Sequence, residues 1–470
     1  MYDFLSHPLR PLTALAVFFL AVVLPPAKAQ APAKLLITNA YIFSMAPTQR
    51  TPFHGYLAVA ADGKLIAVAA GSPPASLKAQ TTWNANGHWI TPGFISAHSH
   101  LWQSAYRGLA ADQTLLGWID ELYGQKSAHA TAEDLYWFTL EGSLDHLRHG
   151  ITAAYNFSLG GHIPDESLSF NQQELKAEMD SGIRFVHGWQ PGHSSQINDP
   201  AETHAHLKAF LEASAIQRLD PHFLSVMING MTSFVPADQA PNEARMEASL
   251  MREFHLANET HFLEPPNTQV AERQLFPLFS QNAMLGPNLI FGHFIHTDAA
   301  ILAATGAAHA SMSWNPLSNG RLASGTADIP AYLKAGIRVG MGVDGEASAD
   351  LADPFENMRT GLYAIRDKYE DATILSPYDV FRLHTMGSAD VLNVADRLGS
   401  LEPGKLADFL VIDPTHFGVV FDPYATLVLV TSQPDLERVY VGGQLEVDHG
   451  KLLHQDLAHV ESEVNRRVAK

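Results

Sequence analysis

Eight short apolar runs recur between residues 94 and 344, and helix-like segments separate them. The runs occupy residues 94–97, 150–155, 182–188, 223–228, 259–264, 289–294, 310–315 and 336–344. Buried strands that alternate with helices are typical of parallel α/β folds. Eight of them in succession predict a (β/α)₈ barrel of the TIM type, whose active site lies at the C-terminal strand ends.

Polar side chains stand at the ends of four of these runs. They are His98 and His100 at the first run, His261 and Glu264 at the fifth, His293 at the sixth and Asp344 at the eighth. Closure of a barrel brings the first and eighth strands together, whereas an open doubly wound sheet keeps them apart. The pattern therefore predicts that all six side chains project into one mouth, with His296 as the alternative to His293 at the sixth strand.

The pair His98 and His100 is ambiguous by itself, because the chain has 24 histidines and a second such pair, His204 and His206. Residues i and i+2 share a face in a strand but diverge on a helix. The second pair lies in a segment with helical spacing, so we interpret it as a solvated helix face. The first pair ends a strand and is suited to hold a metal ion.

The chain contains no cysteine, so any metal site must use histidine and carboxylate ligands. This excludes zinc deaminases whose metal is bound by one histidine and two cysteines. Three imidazoles, from His98, His100 and His261, and the Asp344 carboxylate form a mononuclear site suited to Zn²⁺, with Fe²⁺ as the second choice.

The remaining polar residues have the chemistry of a hydrolase. Asp344 can accept a proton from water, and Glu264, three residues after a ligand, can pass that proton to a leaving group as a general acid and base. His293 can polarise the substrate or orient the attacking water. Together they predict hydrolytic displacement at an sp² carbon.

The N-terminal 29 residues have the pattern of a secretory signal peptide. A positive charge at Arg10 precedes an apolar run at residues 12–24, and small residues at Ala27 and Ala29 define a cleavage site after Ala29. The run is short for a membrane span, although an uncleaved anchor remains the alternative. We expect a secreted or periplasmic protein.

The formal net charge of −19 argues against nucleic acids and anionic membranes as partners and leaves a small-molecule substrate. The polar loops at residues 156–167 and 189–199 are candidates for lids or subunit contacts, so a homo-oligomer stays open.

Strand-like runs outside the barrel occur only near the two ends of the mature chain. They predict one small β-domain from residues 34–91 and 399–455, around a hydrolase barrel at residues 92–398 and followed by a helical tail at residues 456–470.

Six motifs in this order resemble the amidohydrolase superfamily, in its branch of cytosine deaminases, chlorohydrolases and S-adenosylhomocysteine deaminase-like enzymes. They occupy residues 92–100, 261–264, 292–293, 315–319, 342–345 and 399–408. The resemblance implies a distorted barrel with a side β-sandwich built from both termini. It also implies one divalent metal on His98, His100, His261 and Asp344, with Glu264 and His293 handling protons. Binuclear members carry a lysine after the fourth strand, and residues 223–234 contain none.

The resemblance favours deamination of an aromatic heterocycle such as an oxopurine, a pyrimidine or a triazine. Gln103 is the candidate reader of a ring amide, and Trp102 is the candidate stacking partner. Hydrolysis of an amide, a carbamate or a carbon–halogen bond by the same residues is the alternative. A non-catalytic exported ligand-binding protein is disfavoured because it would not need Glu264.

Overall fold

The structure is a computed structural model that describes residues 32–190 and 199–469. The predicted signal peptide lies outside the described residues. Among the helices that are described, none combines the length and the apolar character needed to cross a membrane.

The first described strands form an open sheet. They are β1 (Ala33–Ile42), β2 (Phe53–Val59), β3 (Leu65–Ala70), β4 (Ala79–Asn84) and β5 (Trp89–Pro92). Strands β1, β2 and β3 are antiparallel neighbours, and β4 and β5 run parallel to β1. Gly63 has a φ of 79°, a conformation that glycine adopts readily, and it completes the Asp-Gly turn before β3.

A second sheet of nine parallel strands is curled. Its strands are β6 (Phe94–His100), β7 (Ile151–Phe157), β8 (Arg184–Trp189), β9 (Phe223–Gly230), β10 (Ala257–Phe262), β11 (Leu289–His293), β12 (Ser311–Trp314), β13 (Arg338–Met341) and β14 (Asp344–Gly345). They are hydrogen-bonded in the order β13-β12-β11-β10-β9-β8-β7-β6-β14. Each of the eight predicted strands is present in this α/β fold.

The eighth predicted strand is split in two. Its first part, β13, pairs with β12, and its second part, β14, pairs with β6, so the last and first strands of the sheet are neighbours. Gly342 lies between them, and a Cβ atom there would stand 2.6 Å from the His98 carbonyl oxygen. Only glycine allows this close approach, which brings Asp344 beside β6.

Helices follow most strands of the curled sheet. They are α1 (Leu115–Ile119), α2 (Ala132–Arg148), α3 (Ser167–Ser181), α4 (Pro200–Ala213), α5 (Ala240–Phe254), α6 (Gln269–Gln281), α7 (Ala299–Ala307), α8 (Pro316–Arg321), α9 (Ile329–Lys334), α10 (Pro354–Tyr369), α11 (Pro377–Arg382), α12 (Ser388–Val391), α13 (Pro423–Leu429) and α14 (Leu457–Val468). Thr131 and Asp134 form a capping box that starts α2, and Gly182 ends α3 at a φ of 84°. A short 3₁₀ helix, Leu101–Tyr106, follows β6 directly.

The C-terminal strands return to the first sheet. They are β15 (Phe409–Ile412), β16 (Leu436–Val441), β17 (Gln444–Asp448) and β18 (Lys451–Leu452). Strand β15 is antiparallel to β5, so both chain ends contribute to one sheet of nine strands, as the sequence predicts. The sandwich form and the exact domain boundaries stay predictions.

A buried ion pair joins the two sheets. Arg184 on β8 donates from Nε and Nη2 to the two oxygens of Asp408, at 2.8 and 3.0 Å. Both residues are almost fully buried, and the bidentate geometry gives the pair directional strength. The pair fixes the end-derived sheet against the curled sheet.

Candidate active site

Strand β6 presents His98 and His100 at its C-terminal end. Ser96 lies opposite Ala154 and Ser99 lies opposite Asn156, so three steps on β6 match two steps on β7. This bulge changes which face of the strand points inward. Both histidines are buried, and their rings lie 4.6 and 5.1 Å from the ring of His261 on β10.

Asp344 completes the group of side chains that we call the ligand cluster, defined as His98, His100, His261 and Asp344. Asp344 Oδ1 lies 3.5 Å from His98 Nε2 and 3.4 Å from His100 Nε2, and the Nε2 atoms of His100 and His261 lie 3.1 Å apart. His98 Nε2 is buried without a hydrogen-bond partner among the described residues. Donor atoms that converge in this way fit one divalent cation with three nitrogen ligands and one oxygen ligand.

Two contacts orient the first-strand ligands. Glu259 on β10 lies with Oε1 2.5 Å from His98 Nδ1, and His100 Nδ1 donates to the Phe157 carbonyl oxygen at 3.2 Å. Each contact occupies Nδ1 and leaves Nε2 pointing to the centre of the cluster. Sequence reasoning missed Glu259, although its position two residues before His261 places both on one strand face.

In the absence of a cation, the histidines of the ligand cluster favour different protonation states. Burial disfavours charge on His98, but the Glu259 carboxylate raises its pKa to about 10. Burial and the charge on His98 lower the pKa of His100 to about 3 and hold the pKa of His261 well below its usual range. Neutral imidazoles are the form that binds metal, so His100 and His261 are ready ligands.

Asp344 remains a carboxylate in this cluster. Burial by itself raises the pKa of Asp344, but the charge on His98, whose Nε2 lies 3.5 Å from Oδ1, and the electrostatic effect of the other neighbouring histidines hold that pKa well below its usual range. The cluster therefore offers one anionic oxygen ligand beside three imidazoles.

Glu264 and His293 lie beside the ligand cluster. Glu264 Oε1 is 3.5 Å from His293 Nδ1, and His293 Nε2 is 3.8 Å from Asp344 Oδ2. Burial raises the pKa of Glu264, which suits a group that both takes up and releases a proton. His296 instead hydrogen-bonds the Ser324 carbonyl oxygen at 2.7 Å, away from the cluster.

A cavity of about 650 Å³, including its open mouth, lies over the cluster. His100, His261, Glu264, His293 and Asp344 form its polar floor. Its other walls are mostly apolar or aromatic and come from Leu115, Trp118, Ile119, Tyr123, Phe157, Gln190, Met231, Phe234, Leu322 and Ser348. Lysine and arginine are absent from these lining residues.

The structure does not bring Trp102 and Gln103 to the cavity wall. The 3₁₀ helix after β6 turns both residues behind Tyr123, where Trp102 packs edge-on against the Tyr123 ring and Gln103 Nε2 donates to the Tyr123 hydroxyl at 3.2 Å. Gln103 also packs so closely on Gly345 that a Cβ atom there would overlap it. The predicted substrate contacts of these two residues therefore have no support from the cavity lining.

Tyr123 and Gln190 line the cavity in their place, and sequence reasoning missed both. Gln190 directly follows β8, so the rule that polar residues collect at strand ends could have found it. Tyr123 lies in a π-helical turn, Asp120–Lys126, which gives no periodic signal in the sequence. Residues 191–198 of the adjoining loop lie outside the described part of the chain.

The second histidine pair lies on helix α4, as its spacing predicts. His204 Nε2 is 2.9 Å from an oxygen of Glu253, and the side chain is partly exposed. This pair is separate from the ligand cluster.

Comparison with known proteins identifies the family. The sequence profile of the amidohydrolase family matches residues 89–445. The chain belongs to the amidohydrolase family. Metal-dependent hydrolysis of carbon–nitrogen bonds is therefore its reaction class, and the resemblance predicted from the motifs is confirmed.

Relatives of this amidohydrolase include deaminases. A 5-methylthioadenosine/S-adenosylhomocysteine deaminase of Syntrophobacter fumaroxidans is 26% identical over 448 residues, covering 93% of this chain and 98% of the relative. A second deaminase of that name, from Desulforudis audaxviator, is 26% identical over 442 residues and covers 90% and 95% of the two chains.

Solved structures share the fold of this amidohydrolase. An adenosine deaminase from Xanthomonas campestris with bound zinc has a TM-score of 0.80 and 21% identity, covering 93% of this chain and 98% of its own. An atrazine chlorohydrolase from Arthrobacter aurescens, complexed with zinc, has a TM-score of 0.79 and 20% identity, covering 92% and 100%. At this identity the likeness concerns the fold alone.

Proposed function

We propose that this amidohydrolase deaminates a neutral aromatic heterocycle of the oxopurine, pyrimidine or triazine type. The observation that carries the proposal is the convergence of the ligand cluster, Glu264 and His293 on the floor of one cavity. The named deaminase relatives support deamination over other hydrolyses at the same site.

The ligand cluster is suited to one divalent cation, with Zn²⁺ expected before Fe²⁺ because imidazole and carboxylate ligands in fourfold coordination suit zinc. A cation held there supplies Lewis acidity and lowers the pKa of coordinated water. The two zinc-bearing structures with this fold support the same choice.

The residues of this chain supply binding and proton transfer. Asp344 is ionised, so it can accept a proton from the attacking water. Glu264, with its raised pKa, can deliver a proton to a ring nitrogen and then to the departing amine. His293 lies within reach of both carboxylates and can hold the nucleophile in line.

The cavity walls indicate the class of substrate. Aromatic and aliphatic side chains such as Trp118, Phe157 and Phe234 suit a flat apolar ring. Because lysine and arginine are absent from the lining, a phosphate or carboxylate on the substrate would have no counter-charge there. Gln190 and Tyr123 are the polar groups placed to read ring substituents.

The test is metal analysis combined with a product screen. We expect about one zinc or iron ion per chain and ammonia release from at least one of a panel of amino-oxopurines, aminopyrimidines and aminotriazines. Release of halide or carboxylate without ammonia, from halogenated heterocycles or acyl amides, would replace deamination with the alternative hydrolysis.

Glu264→Gln separates an enzyme from a ligand-binding protein. The variant should keep the metal and the affinity for the heterocycle but lose turnover, because the proton carrier is gone. Glu461→Gln, exposed on α14, is the matched control and should behave as wild type. Full turnover in Glu264→Gln would contradict the proposed mechanism.

We further propose that the protein is exported, since its first 29 residues have the signal-peptide pattern. Expression of the full chain in a Gram-negative host should place it in the periplasmic fraction. Mass spectrometry should find a mature N-terminus at Gln30. A cytoplasmic protein with an intact N-terminus would refute export.

A further inference from the structure

Helix α8 and the three residues after it contact every proton-handling side chain of the site. Ser318 Oγ donates to Asp344 Oδ2 at 2.5 Å, and Asn319 Oδ1 lies 2.8 Å from His293 Nδ1. Ser324 Oγ donates to Glu264 Oε1 at 3.1 Å. All three contacting side chains are buried.

We infer that residues 316–324 form a positioning element that sets the orientation of Asp344, His293 and Glu264 together. The inference rests on the proposed function, in which these three side chains move protons. None of the three contacting residues lines the cavity, so each acts through its partner.

A positioning element must itself be held in place, and this one is. The Leu317 amide donates to Asn357 Oδ1 on α10 at 3.1 Å. Arg321 donates to the Leu109 carbonyl oxygen at 2.7 Å and to Asp350 Oδ2 at 3.0 Å. Helix α8 is thus tied to α10 and to two loops, one before α1 and the other between β14 and α10.

The contact from Ser318 divides the two oxygens of Asp344 between two tasks. Oδ2 accepts the Ser318 hydroxyl, whereas Oδ1 faces the Nε2 atoms of His98 and His100. A carboxylate that rotated freely would exchange these oxygens. Ser318 therefore keeps one oxygen for the ligand cluster and the other on the side of His293.

The contact from Asn319 favours one tautomer of His293, because Asn319 Oδ1 is the nearest acceptor to His293 Nδ1, at 2.8 Å against 3.5 Å for Glu264 Oε1. When the Asn319 oxygen accepts the Nδ1 proton, Nε2 carries a lone pair and points to the cluster. His293 then accepts a hydrogen bond from the nucleophile and does not donate one to the substrate. This choice decides between the two roles that the sequence leaves open for His293.

The experiment compares Asn319→Leu, which removes the acceptor in a similar volume, with Asn319→Asp, which restores an acceptor oxygen. Asn319→Leu should lower kcat about 10- to 100-fold, with KM and metal content within about twofold of wild type. Asn319→Asp should recover most of the lost kcat. Gly320→Ala is the matched control on the same helix, because its added Cβ atom meets only Thr360 Cγ2 at 4.0 Å.

Wild-type kcat in Asn319→Leu, or a loss of metal in parallel with kcat, would overturn the inference. If Asn319→Leu does not fold, Ser318→Ala and Ser324→Ala carry the test, since each removes a single hydroxyl. Each should lower kcat about tenfold at unchanged KM and metal content. Wild-type kcat in both would overturn the inference as well.

Nitrogen NMR of the His293 ring, assigned by the signal lost in His293→Gln, gives a readout that needs no substrate. Wild type should show protonated Nδ1, and Asn319→Leu should show a mixture of tautomers. If the wild type turns over no compound but shows this tautomer shift, the proposed function fails and the positioning stands. If the wild type is active and its tautomer is unchanged in Asn319→Leu, the positioning fails alone.

Discussion

Two polar clusters lie inside this fold, and both combine histidine with carboxylate groups. They differ in whether their polar atoms hydrogen-bond one another. The ligand cluster combines three histidines with an aspartate. The second, which we call the network cluster, lies between β7, β8 and α3 and combines one histidine with two glutamates and two asparagines: Asn156, Asn171, Glu174, Glu178 and His187. The network cluster is fully buried, and the ligand cluster is buried except for His261, which is partly exposed.

The polar side chains of the network cluster hydrogen-bond one another and the neighbouring backbone. His187 lies 3.0 Å from Glu178 Oε2 and 3.1 Å from Asn171 Oδ1 through its two ring nitrogens. Asn156 Nδ2 donates to Glu178 Oε1 at 2.7 Å, and the Leu159 amide donates to Glu174 Oε1 at 2.8 Å. In the ligand cluster, by contrast, His98 Nε2 has no partner among the described residues and two ring nitrogens face each other.

The difference teaches how to separate a functional site from a structural network when both are buried and both contain histidine and carboxylate groups. Buried polar atoms that hydrogen-bond one another stabilise the fold. Buried polar atoms that face a common centre without hydrogen bonds indicate a site for a ligand or a metal ion. The following changes test this distinction.

The largest effect is expected from His98→Ala combined with His100→Ala. With two of four ligands gone, metal content should fall from about one ion per chain to background and turnover should vanish. Far-UV circular dichroism should stay unchanged, because the cluster is not what holds the fold. Atomic absorption on the purified variant measures the metal, and retention of a full ion would contradict the ligand assignment.

The opposite outcome is expected from Glu178→Ala in the network cluster. Removing this carboxylate leaves His187 Nδ1 without an acceptor and takes from Asn156 Nδ2 the shorter of its two hydrogen bonds. The loss should cost about 1–3 kcal/mol of folding free energy and lower Tm by roughly 1–3 °C in a chain of this length. The metal content should stay at the wild-type value. Glu461→Ala, exposed on α14, is the control, and equal Tm values for the two variants would remove the distinction between the clusters.

Glu259 combines features of both clusters, because it hydrogen-bonds the metal ligand His98 and is not a metal ligand itself. Glu259→Ala should weaken metal affinity about 10- to 100-fold because His98 loses the contact that orients it. Glu259→Gln, which keeps an acceptor oxygen, should lose less. Competition with a chromophoric chelator measures the affinity, and wild-type affinity in Glu259→Ala would show that the contact has no orienting role.

A smaller effect is expected at Glu243 on α5, which belongs to neither cluster. Burial, followed by the charge of Glu247, raises the pKa of Glu243 to about 8. Because this pKa is higher than in the unfolded chain, stability is complete below the ordinary glutamate pKa and decreases as pH rises towards 8.

Glu243→Gln should therefore leave Tm unchanged near pH 4 and raise it at pH 9, by roughly 1 °C for each 1 kcal/mol of ionisation penalty that is removed in a chain of this length. Thermal unfolding at the two pH values provides the measurement. Glu461→Gln, exposed on α14, is the control. An equal shift at both pH values would exclude ionisation of Glu243 as the cause.

Much of the fold and the core of the site could be predicted from the sequence because both follow short periodic rules. Apolar runs that alternate with helices place the strands, and polar residues at strand ends identified the ligand cluster together with Glu264 and His293. These rules need only local sequence and the closure of the sheet.

These rules do not identify residues whose role depends on a contact with a segment that is distant in the sequence. Glu259 looks like an ordinary strand residue until His98, distant in sequence, is placed against it. Tyr123 lies in the connection between β6 and β7, where the sequence shows no hydrophobic periodicity. Trp102 and Gln103 drew attention because they follow the histidine pair, yet the 3₁₀ helix turns them behind the wall. Proximity along the chain predicts proximity in space only while the backbone keeps its direction.

The split eighth strand has a consequence for the order in which this protein matures. Three of the four ligands come from β6 and β14, nearly the first and the last strands of the curled sheet to be synthesised, and these three meet where β14 pairs with β6. A growing chain that has not passed Asp344 therefore cannot assemble the full ligand set. The full ligand set is therefore available to a cation only after Asp344 has been synthesised and β14 has paired with β6.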